Sequence, residues 1–491
     1  MPINTPHPSY NNNIAKWQKG RDTYEGEEAV KDANETYLPL LSSMPSVKDP
    51  KYLAYRNRAM FYAATTRTVE GLVGMALRKP MQVTLPTRFE NYEDDITDTG
   101  ISMENFVKQL LGEVVLTARS GVFIDKSTNG SRPYAVIYPA ENIINWRLDK
   151  EGKPTMVVLR EYEQIEDPDD KYAMTLTEMY RELYLDEETG KYNVSEWRQE
   201  EGNKDSFKET KLETPVVRGN AFDTIPFVFV NPKGTDAAIQ KMPLLDMINI
   251  NLSHYRTSAD LEHGRHFTAL PTPYVFGVDT KDEEGNSTPI MIGSETAIVS
   301  EDPGGTAGYM EFTGQGLAAL ERAMQEKAEY MAILGGTMLQ NQKKAAEAAE
   351  TARINKSGDS STMVSIISAA EDAMQQVLEY MIAWESIAAE DSVIVEINKD
   401  LLDSTIDPQS ITALVGAWQG GAISQETLLH NFKKGEILPD DVTVEEELQK
   451  IDDEVPTGEG EELDLTPEEK RKNLKIVKNE DDSYDVTESV A

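Results

Sequence analysis

The sequence predicts an α+β fold, and three observations carry that assignment. Apolar residues recur at helical spacing through several long stretches; between 120 and 230 the pattern changes to short strands divided by polar turns; and a second β-rich run, 267–315, stands between two long helical patterns. At 491 residues, 39% hydrophobic and 27% charged, the chain can bury a sizeable core and divide into more than one domain.

Residues 1–47 are polar and irregular, with a short helix expected around Ile14–Ala33. A strong helix is expected over 49–77, where Tyr52, Tyr55, Ala59, Tyr62, Thr66, Val69 and Val73 recur at spacings of three and four and so share a face. From Lys51 to Lys79 six basic residues meet one acidic residue, Glu70, which makes this stretch a basic island; the ordinary account of such a run is a solvated helix face. A second helix is expected over 102–119, with Ser102 as N-cap and its end before Gly121. Strands follow at Gly121–Asp125, Tyr134–Tyr138, Thr155–Tyr162, Met174–Leu183, Lys191–Trp197 and Pro226–Val230. The turns between them suit an antiparallel sheet, and none has the strand–glycine loop–helix order of a nucleotide fold.

Residues 242–266 return to helix, with Leu244, Ile248, Leu252, Tyr255 and Ala259 along one stripe. Short strands are expected at Tyr274–Val278, Pro289–Ile292, Thr296–Ser300 and Gly308–Phe312. Helix resumes over 316–335, where Leu317, Leu320, Met324, Ala328, Met331 and Leu334 form a heptad-like seam. A single protomer gains little by extending such a helix–β–helix hairpin unless neighbouring copies bury its flanks. After Gly335-Gly336, Thr337–Lys344 reads as a mobile stretch, followed by an alanine-rich helix over 345–386, interrupted near Ser357-Gly358. A strand at Val393–Ile397 leads to helices near 408–418 and 424–433, with Asp407 and Ser424 as N-caps and Pro408 at a first helical position. From Asp440 onward 19 acidic and 6 basic residues give a net of −13, so a disordered acidic tail is expected from about Glu454.

Charge and motif content narrow the function. With 86 acidic and 48 basic residues the net charge is −38, so the chain repels phosphate overall and any DNA contact must be local. The absence of cysteine excludes disulfides, thiolate metal sites and cysteine nucleophiles. No leader pattern or membrane-length apolar run is present, and the chain is expected to be soluble and made in a reducing cytoplasm. There is no G-x-x-x-x-G-K-[ST], H-E-x-x-H or G-x-S-x-G, and Asp302-Pro303-Gly304-Gly305 reads as a turn because no lysine follows. Of five histidines, His254, His263 and His266 lie on or just beyond one helix. No further ligands stand at fixed spacing, so they read as helix-surface side chains, with no metal and no cofactor expected. Acidic clusters at Asp167–Asp170 and Glu459–Glu462 read as solvated turns or tail, and no catalytic residue is assigned.

Several stretches resemble the portal proteins of tailed bacteriophages. They are Tyr55-Arg56-Asn57-Arg58-Ala59 through Thr68-Val69-Glu70-Gly71-Leu72-Val73-Gly74 to Arg78-Lys79-Pro80, then Ala118-Arg119-Ser120-Gly121-Val122, and Tyr138-Pro139-Ala140-Glu141-Asn142 through Trp146. The most specific runs from Asn251-Leu252-Ser253-His254-Tyr255-Arg256 through Glu262-His263-Gly264. It continues at Leu270-Pro271-Thr272-Pro273, at Glu311-Phe312-Thr313-Gly314-Gln315-Gly316-Leu317 and at Gly421-Ala422-Ile423-Ser424-Gln425-Glu426-Thr427. Together these cover roughly 50 to 440; none is a chemical motif, and the specificity lies in their number and order.

The resemblance implies a portal-type fold: an α/β wing, long stem helices, a small β-rich clip and a short helical crown. On this chain the wing would be 1–241, the stem helices 242–266 and 316–335, and the clip 267–315. A tunnel-loop region would occupy 336–358, a returning wing helix and strand 359–400, and the crown 401–453, before a disordered acidic tail at 454–491. It further implies a homo-oligomer, a dodecamer at the capsid vertex of the virion, through which double-stranded DNA is packaged and ejected. Implied partners are the terminase large subunit, a head–tail adaptor, and the major capsid and scaffolding proteins, with no membrane. Twelve copies at −38 sum to about −450, so such a bore gives DNA little to grip. Lys343 and Lys344 are the candidates for transient DNA contact, with Arg353 and Lys356 in reserve. Two alternatives of other classes are a packaging-associated metal-dependent nuclease and a scaffold or adaptor that forms no ring.

Overall fold

Local signals decide where the N-terminal helices begin and stop. In the computed structural model, α1 (Pro8–Asn11) is capped by His7, whose Nδ1 accepts from the Ser9 N–H at 3.1 Å. Two helices, α2 (Ile14–Glu25) and α3 (Glu27–Asp32), replace the one expected over Ile14–Ala33. Gly26 between them takes φ +106°, a conformation glycine adopts without strain. The helix expected over 49–77 is likewise two, α4 (Pro50–Arg58) and α5 (Ala64–Ala76). Asp49 caps α4 by accepting from the Lys51 N–H at 2.7 Å. The break at 59–63 holds neither glycine nor proline, so its cause is tertiary. The structure describes residues 2–126, 132–166, 170, 172–200, 203–269, 272–277, 303–310, 316–336, 361–385, 393–399, 401, 408–434, 437–438, 442–454, 474–478 and 484–488.

After β1 (Gln82–Thr84) and α6 (Asn91–Asp94), α7 (Met103–Thr117) forms as expected. Ser102 Oγ accepts from the Asn105 N–H at 3.4 Å, and Ala118, left-handed at φ 59°, ends the helix. Phe106, Val107, Leu110, Leu111, Val114 and Val115 are fully buried while Glu104, Asn105, Lys108 and Gln109 are exposed, so α7 is amphipathic with one face in the core.

The strand region holds β2 (Ser120–Asp125), β3 (Tyr134–Pro139), β4 (Ile143–Leu148), β5 (Pro154–Glu166), β6 (Met174–Leu185), β7 (Tyr192–Glu200), β8 (Asn203–Glu213), β9 (Val216–Val217), β10 (Asn220–Ala221) and β11 (Phe227–Val230). One antiparallel sheet has the order β11–β2–β3 and a second the order β4–β5–β6–β7–β8. Four of these ten strands were not expected, the two-residue β9 and β10 among them. In β4 a bulge between Ile143 and Asn145 breaks the alternation that would mark it. β8 is an edge strand dominated by charged and polar residues, so it reads as a loop until β7 pairs with it.

Next come β11's successors, α8 (Leu245–Ala269), β12 (Thr272–Phe276), β13 (Thr306–Met310) and α9 (Leu317–Gly336). The strands expected at 289–292 and 296–300 lie outside the described residues, as does the interruption near Ser357-Gly358. Ser361 caps α10 (Thr362–Trp384) by accepting from the Val364 N–H at 3.3 Å. Ile366, Ala370, Met374, Val377 and Met381 of α10 are buried, and the helix packs on α7, β2 and β11. β14 (Ile394–Glu396) returns to pair antiparallel with β1. These elements belong to one compact unit, Met1–Lys399.

A second unit spans Asp400–Ala491. It contains α11 (Pro408–Gln419), α12 (Gln425–Lys434), α13 (Val444–Glu454), β15 (Leu474–Lys478) and β16 (Tyr484–Glu488). Ser424 caps α12 through the Thr427 N–H at 3.1 Å, while Asp407 lies outside the described residues. Helix α13 was not anticipated. Its signal is a reciprocal cap in the acidic stretch: Thr443 Oγ1 accepts from the Glu446 N–H at 3.1 Å, and Glu446 Oε2 from the Thr443 N–H at 2.9 Å. The antiparallel pair β15–β16 stands inside the stretch expected to be a disordered tail. Their register runs from Leu474↔Glu488 to Lys478↔Tyr484.

Candidate functional site

The long helix α8 is built from its buried polar residues as much as from its apolar stripe. Its 25 residues span about 37 Å. Ile248, Leu252, Tyr255 and Ala259 are buried as the periodicity requires, yet so are Asn251 and Ser258. Those two stand seven residues apart, two turns along one face, against the break between α4 and α5. Asn251 Nδ2 donates to the Tyr62 carbonyl at 2.7 Å, and its Oδ1 accepts from the Thr65 N–H at 3.3 Å and hydroxyl at 3.0 Å. Ser258 Oγ accepts from the Met60 N–H at 2.9 Å. Backbone groups that a continuous helix would pair internally are thus satisfied by α8, and the helix stops there. Tyr55 donates to Asp260 at 2.6 Å, and Phe61 meets Tyr255 edge-on at 6.1 Å.

Helix α9 runs antiparallel along α8. Near the hairpin, Arg265 pairs with Glu321 at 2.8 Å and Glu262 at 2.7 Å. There the helices approach closely: a Cβ on Gly264 would lie 2.7 Å from Leu317 Cδ2. Midway, the Lys327 ammonium donates to the Ser253 carbonyl at 3.2 Å and to Thr257 Oγ1 at 2.5 Å. The seam Leu317, Leu320, Met324, Ala328, Met331 and Leu334 is half-buried or buried, while Ala318, Arg322, Gln325, Glu326 and Glu329 are exposed. Tyr330 and Ile333 on α9 are 59% and 60% exposed, large apolar side chains left uncovered among the described residues. Strands β12 and β13, paired from Thr272↔Met310 to Phe276↔Thr306, cap the pair. Phe267, Phe276 and Tyr309 are exposed at that end.

The electrostatics of the pair are those of buried bases near other cations. Burial, then Arg256, holds the Lys327 ammonium below its ordinary pKa. Burial, then Lys327, lowers His254, and burial, Arg58 and His266 lower His263. Among the described residues neither imidazole Nδ1 has a hydrogen-bond partner. His266 Nε2 lies 3.1 Å from an Arg58 nitrogen, and His263 packs edge-on against Tyr55 and Phe267. Among the described residues no group of three or more His, Asp or Glu could hold a metal ion.

Lys343, Lys344, Arg353 and Lys356 lie outside the described residues, and so do Glu459–Glu462 and residues 167–169. Asp170 accepts from the Tyr172 N–H at 3.0 Å within a turn. Sequence reasoning missed Asn251, Ser258, Lys327 and the Arg265–Glu321 pair. Polar residues seven apart in an otherwise apolar helix are the signal that could have found the first two. Arg181 bridges Glu161 at 2.8 Å and Asp125 at 3.3 Å beneath the larger sheet. Burial raises Asp125, but both carboxylates carry partners, and the cluster reads as a paired structural network.

A family model described as "Domain of unknown function (DUF4055)" matches residues 243–385, the helix pair and α10 with what joins them. No curated protein matches the chain. Three solved structures are similar. The neck of an empty gene transfer agent (GTA) particle, computed with C6 symmetry, is 12% identical at TM-score 0.37, over 80% of this chain and 95% of that one. The neck of a native GTA particle, computed with C12 symmetry, is 11% identical at TM-score 0.35, over 74% and 88%. The virion of a native gene transfer agent particle is 10% identical at TM-score 0.36, over 81% and 96%. At these scores the likenesses decide neither fold nor function. Among the described residues no helix is long and apolar enough to cross a membrane.

Proposed function

We propose that this chain is the subunit of a portal ring, the channel through which double-stranded DNA enters and leaves a tailed-phage capsid. The observation that carries the reading is the antiparallel pair α8–α9, topped by β12–β13, which leaves Tyr330, Ile333 and Phe267 exposed on its flanks. Apolar side chains of that size on a projecting element call for a cover, and neighbouring copies supply one. The ordered portal-like stretches add the identity of the ring, and the paired state of the Asp125–Glu161–Arg181 cluster suits a conduit rather than a catalyst. In this reading α8 and α9 form the stem, the segment between them docks terminase and then the head–tail adaptor, and the subunits sit at the capsid vertex as a dodecamer. The acidic bore repels DNA, and Lys343 and Lys344 supply brief contacts, with Arg353 and Lys356 behind them. The test is paired. Negative-stain images of the purified chain should show rings. Lys343→Glu with Lys344→Glu should leave the rings intact and lower DNA packaging; normal packaging by that variant would reject the contact assignment.

A further inference from the structure

The far end of the five-stranded sheet has two unlike faces. On one, Glu163 is matched by Arg198 at 2.7 Å, and further in Glu161 is matched by Arg181 at 2.8 Å within the partly buried network described above. On the other, the register β5–β6 lines up Tyr162 with Glu178, Gln164 with Leu176, and Glu166 with Met174. Glu209 of β8 pairs with Trp197, which pairs with Tyr180 on the same face. Tyr180 meets Phe207 edge-on at 4.8 Å, so the aromatics of this face touch. Tyr162, Met174 and Leu176 are 54%, 60% and 65% exposed. Among the described residues Glu166 and Glu209 are exposed without an ion pair, while Arg160 donates to the Glu141 carbonyl at 2.9 Å and lies 3.9 Å from Glu178. The result is an apolar patch rimmed with acid.

Such a patch needs an apolar partner rimmed with base, and the chain carries one. The break between α4 and α5 leaves Met60 55% and Tyr62 41% exposed. Arg67 lies over the Tyr62 ring at 5.4 Å, and His254 packs beneath it at 5.8 Å. Arg58 ends α4 four residues before Tyr62, with a guanidinium nitrogen 3.1 Å from His266 Nε2, inside the basic stretch Lys51–Lys79 of a chain whose net charge is −38. Copies that acidic repel one another, so their contacts require local charge matching. A contact between two different surfaces of identical chains is head-to-tail, the kind that closes into a ring.

We propose that the acid-rimmed end of the sheet, at Tyr162, Met174 and Leu176, seats the basic corner at Met60, Tyr62 and Arg67 of a neighbouring copy. This rests on the ring reading and names the surfaces that join one subunit to the next. The test uses the full chain, with native mass spectrometry across a concentration series at low salt. Arg58→Glu with Arg67→Glu should raise the concentration needed for assembly roughly tenfold or more, and so should Glu166→Arg with Glu209→Arg. Mixing the two variants should restore hetero-rings, because each then offers the surface the other lacks; the four-fold variant in one chain should also recover assembly. Leu176→Ser should weaken assembly with an unchanged circular dichroism spectrum. Rings from every variant at wild-type concentrations would overturn this interface and leave the ring reading standing. Dispersal by each pair without rescue in combination would overturn the pairing of the two surfaces. A wild-type chain that stays monomeric throughout would overturn the ring itself.

Discussion

Helices α8 and α9 lie side by side yet are held in opposite ways. Over its first two thirds α8 is buried on nearly every side, between α4 and α5 and α9, and it spends polar residues on ending a neighbouring helix. α9 buries only Met331 and Gly335 fully and touches the body along one seam. The difference teaches that α8 belongs to the fold of one subunit, whereas in the proposed ring α9 is completed by a neighbouring copy. Mutations should therefore split by helix into those that unfold the subunit and those that spare it.

The largest effect is expected at Tyr255→Ala, which empties a fully buried aromatic site and should cost about 3–5 kcal/mol in urea denaturation. Tyr330→Ala on α9 should stay within about 0.5 kcal/mol of wild type in the dispersed chain, yet weaken assembly. An equal loss at the two sites would break the contrast. Next is Asn251→Ala, which strands the Tyr62 carbonyl and the Thr65 donors and should cost about 2–3 kcal/mol by the same measurement.

Asn251 also shows what the sequence hid. The helical stripe over 49–77 runs through the break without interruption, since Ala59 and Tyr62 sit at the spacing a continuous helix would use. Nothing local stops that helix; a side chain nearly two hundred positions later does. Where the cause was local, the sequence was legible: Ser102, Ser361 and Ser424 cap helices in or near the expected stretches, and the six strands expected between 120 and 230 form with boundaries shifted by a few residues. β4 and β8 escaped because a bulge and an edge position remove the period-two signal. Helix α13 escaped although its Thr443–Glu446 box was in plain view, because the charge of the tail outweighed it. The helices expected over 242–266 and 316–335 were legible from periodicity alone, while the residues expected to touch DNA fall outside the described residues.

A smaller, pH-linked effect sharpens the same contrast. Burial lowers the His254 pKa below its unfolded value of 6.5, so the native state binds fewer protons than the unfolded one. Its share of stability is present above pH 6.5 and falls as the pH drops through that value toward the lower native pKa. Wild type should therefore lose melting temperature between about pH 7 and 5, and His254→Gln should flatten part of that slope. An identical slope in the variant would remove His254 from the account. Smallest of all, Arg265→Ala breaks an exposed ion pair between the helices and should cost about 0.5 kcal/mol or less, fading in high salt.

The most direct measurement is the symmetry of the chain in assembled particles, by averaged electron-microscope images of the vertex that carries it. The account predicts a closed ring with α8 and α9 packed between neighbours and an opening wide enough for duplex DNA. A chain found singly, or scattered over the shell without a ring, would contradict it.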